Sequence, residues 1–312
     1  MVMAPMVCTQ SSHIVGCLAS PSNNGHLTQR QSTVILPGLG NNTGDYAPLS
    51  SALRSKGFPV KVLKVSRLDW LRNAAGLLDG NYWRGTLKPR PVLDWYLERI
   101  KVAIDAVKAK HGHDKVSLIA HSAGGWLARV FMLEFGTDDI SLLLTLGTPH
   151  LPPPKGVPGV FDQTRGLLDY VEEKCPGAFH APQVKYVCIA SRYIKGATRS
   201  KSPDAVVAAG VGSVTTGTLV ETIVESDEEE IDDGEELTPS YEDRLIGQGY
   251  KQVCGRGDVW GDGVVPAMSA HLRGATNITF DGVYHSPVGA NDEERPWYGS
   301  PKVLDEWIKF LE

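Results

Sequence analysis

The chain of 312 residues has no apolar run of the length a bilayer-spanning helix needs, roughly 18 residues or more. It has no CxxC pair either. Its five cysteines, Cys8, Cys17, Cys175, Cys188 and Cys254, are odd in number and scattered, so neither a zinc site nor a disulfide framework is encoded. A reducing compartment suits such a set, and Cys188, inside the apolar VKYVCIA, reads as a small buried hydrophobe. GxGxxG and GxxxxGK[ST] are both missing, which excludes the usual glycine-rich cradles for dinucleotides and nucleotide phosphates. No basic stripe with interleaved aromatics supports nucleic-acid binding. No internal repeat is present, and no metal or cofactor is implied.

Charge is missing in places. No acidic residue precedes Asp45, and no Lys or Arg lies between Ser202 and Asp243. Glu225 to Glu236 (ESDEEEIDDGEE) holds nine acidic residues; without them the formal charge moves from −5 to +4, a mildly basic body. This run reads as a solvated loop. The acid-poor, hydroxyl-rich segment 1–31 carries a single Arg and reads equally as a flexible leader or as the remnant of an organelle transit peptide.

What is present is a globular composition: 42% hydrophobic, 21% charged and 8% aromatic residues, enough for one large α/β domain or two small ones. Strand-like runs occur at 32–38 (STVILPG), 60–66, 115–121 (KVSLIAH), 140–146, 184–191 and 277–283. Helical spacing occurs at 44–57, 91–112, 125–136 and 301–312, with Pro91 expected in the first turn of the long helix and Gly112 as its stop. The apolar runs lack period-two alternation, which predicts a mostly parallel sheet covered by helices on both faces, over residues 32–312. Two intervals break the rhythm: 151–183, proline-rich with a short helical stretch, reads as a lid, and 194–254, which includes the acidic run, as a loop-like insertion.

LIAHSAGGWLARVF (118–131) runs from a strand into a helix across a serine flanked by small residues. A nucleophilic serine raised on such a turn needs small positions two before and two after it, here Ala120 and Gly124. Ser122 is therefore the candidate nucleophile, against the plainer reading of a helix N-cap. It needs a base and a carboxylate that orients the base, following it in the chain. His285, in the loop VYHSP after a strand, is the candidate base; His150, His180 and His271 are the other histidines after Ser122. Within GRGDVWGDGVVP, Asp262 between two glycines is preferred over Asp258, although turn aspartates are most often merely solvated. The backbone N–H groups of Ala123 and of Leu39, in LPGLGNN, are the candidate oxyanion donors.

The motifs LPGLG (36–40), AHSAGG (120–125), LGTPH (146–150), GDGVVP (261–266) and YHSP (284–287) resemble those of the α/β-hydrolase family, within it the lipase-like branch. The stretch DWLRNAAGLLDGNYWRGTLKPRPVLDWYL (69–97) is similar to plant and cyanobacterial members, which implies a plastid location. The resemblance implies an acyl-enzyme on Ser122 with His285 and Asp262 as its partners. Ala120 replaces the common glycine, Pro37 stands where many lipases have His, and the first two antiparallel strands of the full fold are expected to be missing.

A carboxylic-ester hydrolase acting on a lipid or other apolar acyl substrate is thus the leading expectation, with Trp70, Trp83 and Gly76–Leu78 as candidate pocket residues and room for peripheral contact with a membrane. A thioesterase uses the same groups. A ligand-binding or receptor protein on the same fold is the alternative from another class, and nothing in the sequence bears on oligomeric state.

Overall fold

The computed structural model describes residues 30–198 and 239–312; the leader up to residue 29 and the acidic run 225–236 lie outside the described residues. Among the described residues there are eight strands: β1 (Thr33–Leu36), β2 (Val60–Val62), β3 (Val116–His121), β4 (Ile140–Leu146), β5 (Lys185–Arg192), β6 (Ile194–Lys195), β7 (Trp260–Gly261) and β8 (Thr276–Asp281). Six of them form one sheet in the order β2-β1-β3-β4-β5-β8, with every neighbouring pair parallel. β6 and β7 form a separate antiparallel ribbon.

The helices are α1 (Ala47–Ser55), α2 (Gly80–Arg84), α3 (Asp94–His111), α4 (Ala123–Phe135), α5 (Leu167–Lys174), α6 (Tyr241–Cys254) and α7 (Pro301–Trp307). Alternate residues along the strands divide the core into two layers. Val34, Leu118, Leu143 and Cys188 pack beneath α3, α4 and α5. Ile35, Ile119, Leu144 and Val187 pack beneath α1 and α7. Both faces are therefore dry, which is why the strands read as continuous apolar runs. α3 buries Tyr96, Leu97, Ile100, Ala103, Ile104 and Val107, a stripe at helical spacing, and ends at Gly112 in the left-handed conformation. Each large apolar side chain of that stripe contributes about 1.5–3 kcal/mol by leaving water. Cys188 is fully buried, and burial pushes its thiol up to about 11, so it behaves as a hydrophobe.

Three elements differ from expectation. The long helix begins at Asp94, because residues 89–93 are taken up in a tight turn in which the Leu93 N–H donates to the Pro89 carbonyl at 2.7 Å. Arg67–Leu78 forms a 12-residue 3-10 segment, opened by a Ser66–Asp69 capping box. The interval 194–254 is not all loop: α6 occupies its end, started by a Ser240–Asp243 capping box. Only Gly247 and Tyr250 of α6 are buried; Ile246, Tyr250 and Val253 recur at helical spacing, but Gly247 and Gly249 between them read as loop residues.

The chain order reverses between β1 and β3: the path leaves β1 to β2 on one side and returns to β3 on the other. Such a reversal opens a crevice at the carboxyl ends of the two strands, where a ligand site is expected.

Candidate active site

Ser122 stands at that crevice, between the last residue of β3 and the first of α4. Its backbone has φ 51° and ψ −128°, a conformation that costs a side-chain-bearing residue on the order of 1–3 kcal/mol. The surrounding packing enforces it. The Ser122 N–H donates to the Leu146 carbonyl at 2.9 Å, and Thr148 Oγ1 donates to the Ser122 carbonyl at 2.7 Å. A Cβ at Gly124 would lie 2.7 Å from the Leu36 carbonyl oxygen, so glycine is required where α4 crosses the end of β1.

His285 and Asp262 meet Ser122 from distant parts of the chain. Ser122 Oγ lies 3.0 Å from His285 Nε2, and His285 Nδ1 lies 2.7 Å from Asp262 Oδ2. Asp262 is almost fully buried, and its carboxylate is fully engaged. Oδ1 accepts from the Val264 and Val265 amides at 3.0 and 2.7 Å, and Oδ2 also accepts from the Tyr298 hydroxyl at 2.9 Å. A carboxylate held by so many donors can act only as an acceptor, so His285 carries its proton on Nδ1 and offers the Nε2 lone pair to Ser122. The two loops are also joined by the backbone, since the His285 N–H donates to the Asp262 carbonyl at 2.9 Å. Burial, and then the Asp262 charge, push the Tyr298 phenol well above its ordinary value, so it remains a donor.

The turn after β1 faces the same serine. Among the described residues, neither the Leu39 nor the Ala123 backbone N–H is taken by a protein acceptor, whereas the Gly38 N–H donates to the Tyr46 hydroxyl at 2.9 Å. The remaining candidates lie elsewhere. His150 is fully buried behind the site, against Thr145 Oγ1 at 3.1 Å and Cys188 Sγ at 3.5 Å. His271 Nε2 is 2.9 Å from Thr279 Oγ1, and Asp258 is exposed and paired with Arg256. His180 has a buried Nε2 without a partner.

An apolar cavity of about 300 Å³ opens beside Ser122 and Ala123. Trp70, Tyr82, Leu93, Trp126, Leu168 and Val265 line it, with Leu151, Pro153 and Leu167 contributed by the expected lid 151–183. Of the other expected pocket residues, Trp83 is 67% exposed and Leu78 is 92% exposed, and neither lines it. The Trp83 indole N–H instead donates to the Leu77 carbonyl at 3.0 Å on the exposed surface.

Sequence reasoning missed Tyr298, Tyr250, Tyr46 and Gly147. Tyr250 on α6 accepts the Gly263 N–H at 2.9 Å and so braces the Asp262 loop. A Cβ on Gly147, in the LGTPH motif, would come within 3.0 Å of His285 Nδ1. That motif was the one signal available; the tyrosines stand in no recognisable pattern. Among the described residues, no group of three or more His, Cys, Asp or Glu is placed to hold a metal ion, and no helix is long and apolar enough to cross a membrane.

Residues 91–174, about a quarter of the chain, match the PGAP1-like alpha/beta domain family; the match includes β3, the Ser122 turn, α4 and β4. No curated protein matches the sequence. Among solved structures, the mature form of Bacillus licheniformis lipase BlEst2 superposes with a TM-score of 0.50 at 13% identity, covering 91% of this chain and 92% of that one. Aspergillus fumigatus lipase B gives a TM-score of 0.36 at 14% identity, over 55% of this chain and 40% of that one. The parallel sheet with a helical layer on each face, a strained serine turn at the switch point and an end-to-end likeness to a lipase structure define an α/β-hydrolase fold.

Proposed function

We propose that this chain is a serine hydrolase of carboxylic esters with an apolar acyl group. The observation that carries the proposal is the run of contacts from Asp262 through His285 to Ser122, 2.7 and 3.0 Å, ending at the mouth of an apolar cavity. In this reading Ser122 Oγ attacks the ester carbonyl while His285 Nε2 takes its proton. The tetrahedral oxyanion forms between the Leu39 and Ala123 N–H groups. His285 then hands the proton to the departing alkoxide, leaving an acyl group on Ser122. Water, deprotonated by His285, releases the acid. Asp262 holds the imidazole in the required tautomer and stabilises the imidazolium.

The cavity lining supports an apolar acyl group, since Leu, Val, Trp and Tyr make most of its wall; Asn73, Asp162, Gln163, Arg165 and Gln252 are polar side chains that also line it. A lipid as the source of that group is supported by the exposed Leu71, Trp83 and Phe161, each next in sequence to a residue that lines the cavity (Trp70, Tyr82 and Asp162), as candidates for peripheral contact with a membrane. The resemblance of residues 69–97 to plant and cyanobacterial members carries a plastid as the proposed location. Thioesters present the same carbonyl to the same groups.

Labelling with a fluorophosphonate, followed by hydrolysis of p-nitrophenyl esters of increasing chain length, tests the proposal. Labelling of the native protein, lost in Ser122→Ala, with activity rising beyond the acetate, is expected. A folded native protein that neither labels nor hydrolyses any ester overturns the proposal in favour of ligand binding on the same fold.

A further inference from the structure

A second buried chain of polar groups runs beneath the site and is used by no step of the reaction above. His121, directly before Ser122, is 1% exposed, and Tyr46 is fully buried. His121 Nε2 lies 2.9 Å from the carbonyl oxygen of His285, and His121 Nδ1 lies 2.7 Å from the Tyr46 hydroxyl. The Gly38 N–H donates to that same hydroxyl at 2.9 Å.

The direction of every bond follows from one constraint. A carbonyl oxygen only accepts, so His121 must carry its proton on Nε2. In a neutral imidazole Nδ1 is then an acceptor, and the Tyr46 O–H donates to it. With its proton so directed, the phenol oxygen is left with lone pairs, and the Gly38 N–H takes one. Asn41 Oδ1, at 3.3 Å from the hydroxyl, is the weaker of its two possible acceptors. Every donor thus has an acceptor, as a buried network requires. Trp297 closes the remaining side, with edge-on contacts to both rings at 5.9 Å.

We infer that Tyr46 and His121 are positioning residues that hold the oxyanion turn and the base-bearing loop in fixed register across the nucleophile. Gly38 precedes Leu39, the proposed oxyanion donor, and the other end of the chain is the backbone of His285 itself. The oxyanion turn, Ser122 and His285 lie on loops after β1, β3 and β8, and Asp262 on the loop after β7. Past the strand ends, backbone pairing thins to single contacts such as Ser122 N–H to the Leu146 carbonyl and the Tyr284–Trp297 bridge. A neutral, fully satisfied bridge through Tyr46 and His121 ties the first and third loops to the second. Burial, and secondarily the neighbouring His285, push the His121 imidazole well below its ordinary value, so the bridge keeps one polarity while His285 takes up and gives back a proton. This role rests on the hydrolase reading above.

The test compares Tyr46→Phe, His121→Leu, the double variant, and His121→Gln, whose side-chain amide can still donate to the His285 carbonyl. Tyr46→Phe and His121→Leu are each expected to lower kcat about tenfold or more with KM within twofold. The double variant is expected to be no worse than the poorer single, because both act through one bridge. His121→Gln is expected to recover most of kcat. Ring-nitrogen NMR of the native protein should report His121 as the neutral Nε2–H tautomer at pH 7.

A Tyr46→Phe enzyme within twofold of native kcat, losses that multiply in the double variant, a rise in KM in place of a fall in kcat, or a charged or Nδ1–H His121 each overturn the inference. A native protein that does not label with fluorophosphonate overturns the hydrolase reading and the catalytic role of the bridge with it. The NMR readout would then still establish separately whether the bridge has the described polarity.

Discussion

Gly147 faces Asp262 so closely that a Cβ on the glycine would lie 2.5 Å from Asp262 Oδ2. Its φ of 56° adds a second reason for glycine, since an L side chain there costs roughly 1–2 kcal/mol. The turn after β4 thus forms a wall close beside the Asp262–His285 pair that leaves no room for a side chain. Gly147→Ala is expected to push Asp262 or His285 off line and to lower kcat at least tenfold in a protein that still folds. Steady-state kinetics together with circular dichroism check it; unchanged kcat in the folded variant refutes the wall.

Removing the groups proposed to react is expected to have a larger effect. If Ser122 and His285 form and break the acyl bond, Ser122→Ala and His285→Ala should each lower kcat by on the order of 10⁶, and Asp262→Asn by on the order of 10⁴. The double variant of Ser122 and His285 should be no worse than either single. Rates measured above the uncatalysed background decide, and independent multiplicative losses would contradict the assignment.

Tyr298 supplies one of the donors to Asp262, at 2.9 Å. A hydrogen bond to a charged group is typically worth about 1.5–3 kcal/mol. Tyr298→Phe should therefore destabilise the fold by an amount in that range and lower kcat about tenfold, leaving KM little changed. Urea unfolding and kinetics on the same sample measure the two effects.

Leu168 on α5 is buried and lines the cavity. Leu168→Trp fills part of that space, so hydrolysis of long-chain p-nitrophenyl esters should fall more than that of the acetate. A uniform loss across chain lengths would place the acyl group elsewhere.

The fold should weaken in mild acid. Burial pushes the imidazoles of His121 and His150 well below their ordinary value; the neighbouring His285 adds to the effect on His121, and Arg129 to that on His150. An unfolded histidine titrates near 6.5, so below that pH the unfolded chain binds protons that the folded one refuses. Stability is then complete above pH 6.5 and falls as the pH drops, by about 1.4 kcal/mol per group for each pH unit until the folded imidazole protonates. Urea midpoints at pH 7.5 and 5.5 test this, and His150→Gln should flatten the slope.

Much was legible in the sequence because it depended on neighbours along the chain. The strands announced themselves as runs buried on both faces, and the Ser122 turn could be read from small residues two positions either side, since the close approach of Gly124 to Leu36 leaves no room for others. The helix α6 went unread although Ile246, Tyr250 and Val253 recur at helical spacing, because it follows the acidic run and carries Gly247 and Gly249 within it. Nor was it legible that Tyr82 lines the pocket while Leu78 and Trp83 face solvent, because a local sequence carries no mark of which way the backbone will turn a side chain.

The sequence by itself determined a parallel α/β sheet with a raised serine, together with a short set of acids and histidines able to reach it. Tertiary structure alone decided which of them do. His285 comes to Ser122 across 163 residues, and Asp262 is chosen over Asp258 by the Val264 and Val265 amides and the Tyr298 hydroxyl that surround it. The Tyr46–His121 bridge joins residues 75 apart. Contacts of that span leave no periodicity in the chain, because they depend on how whole layers pack rather than on the spacing of adjacent side chains.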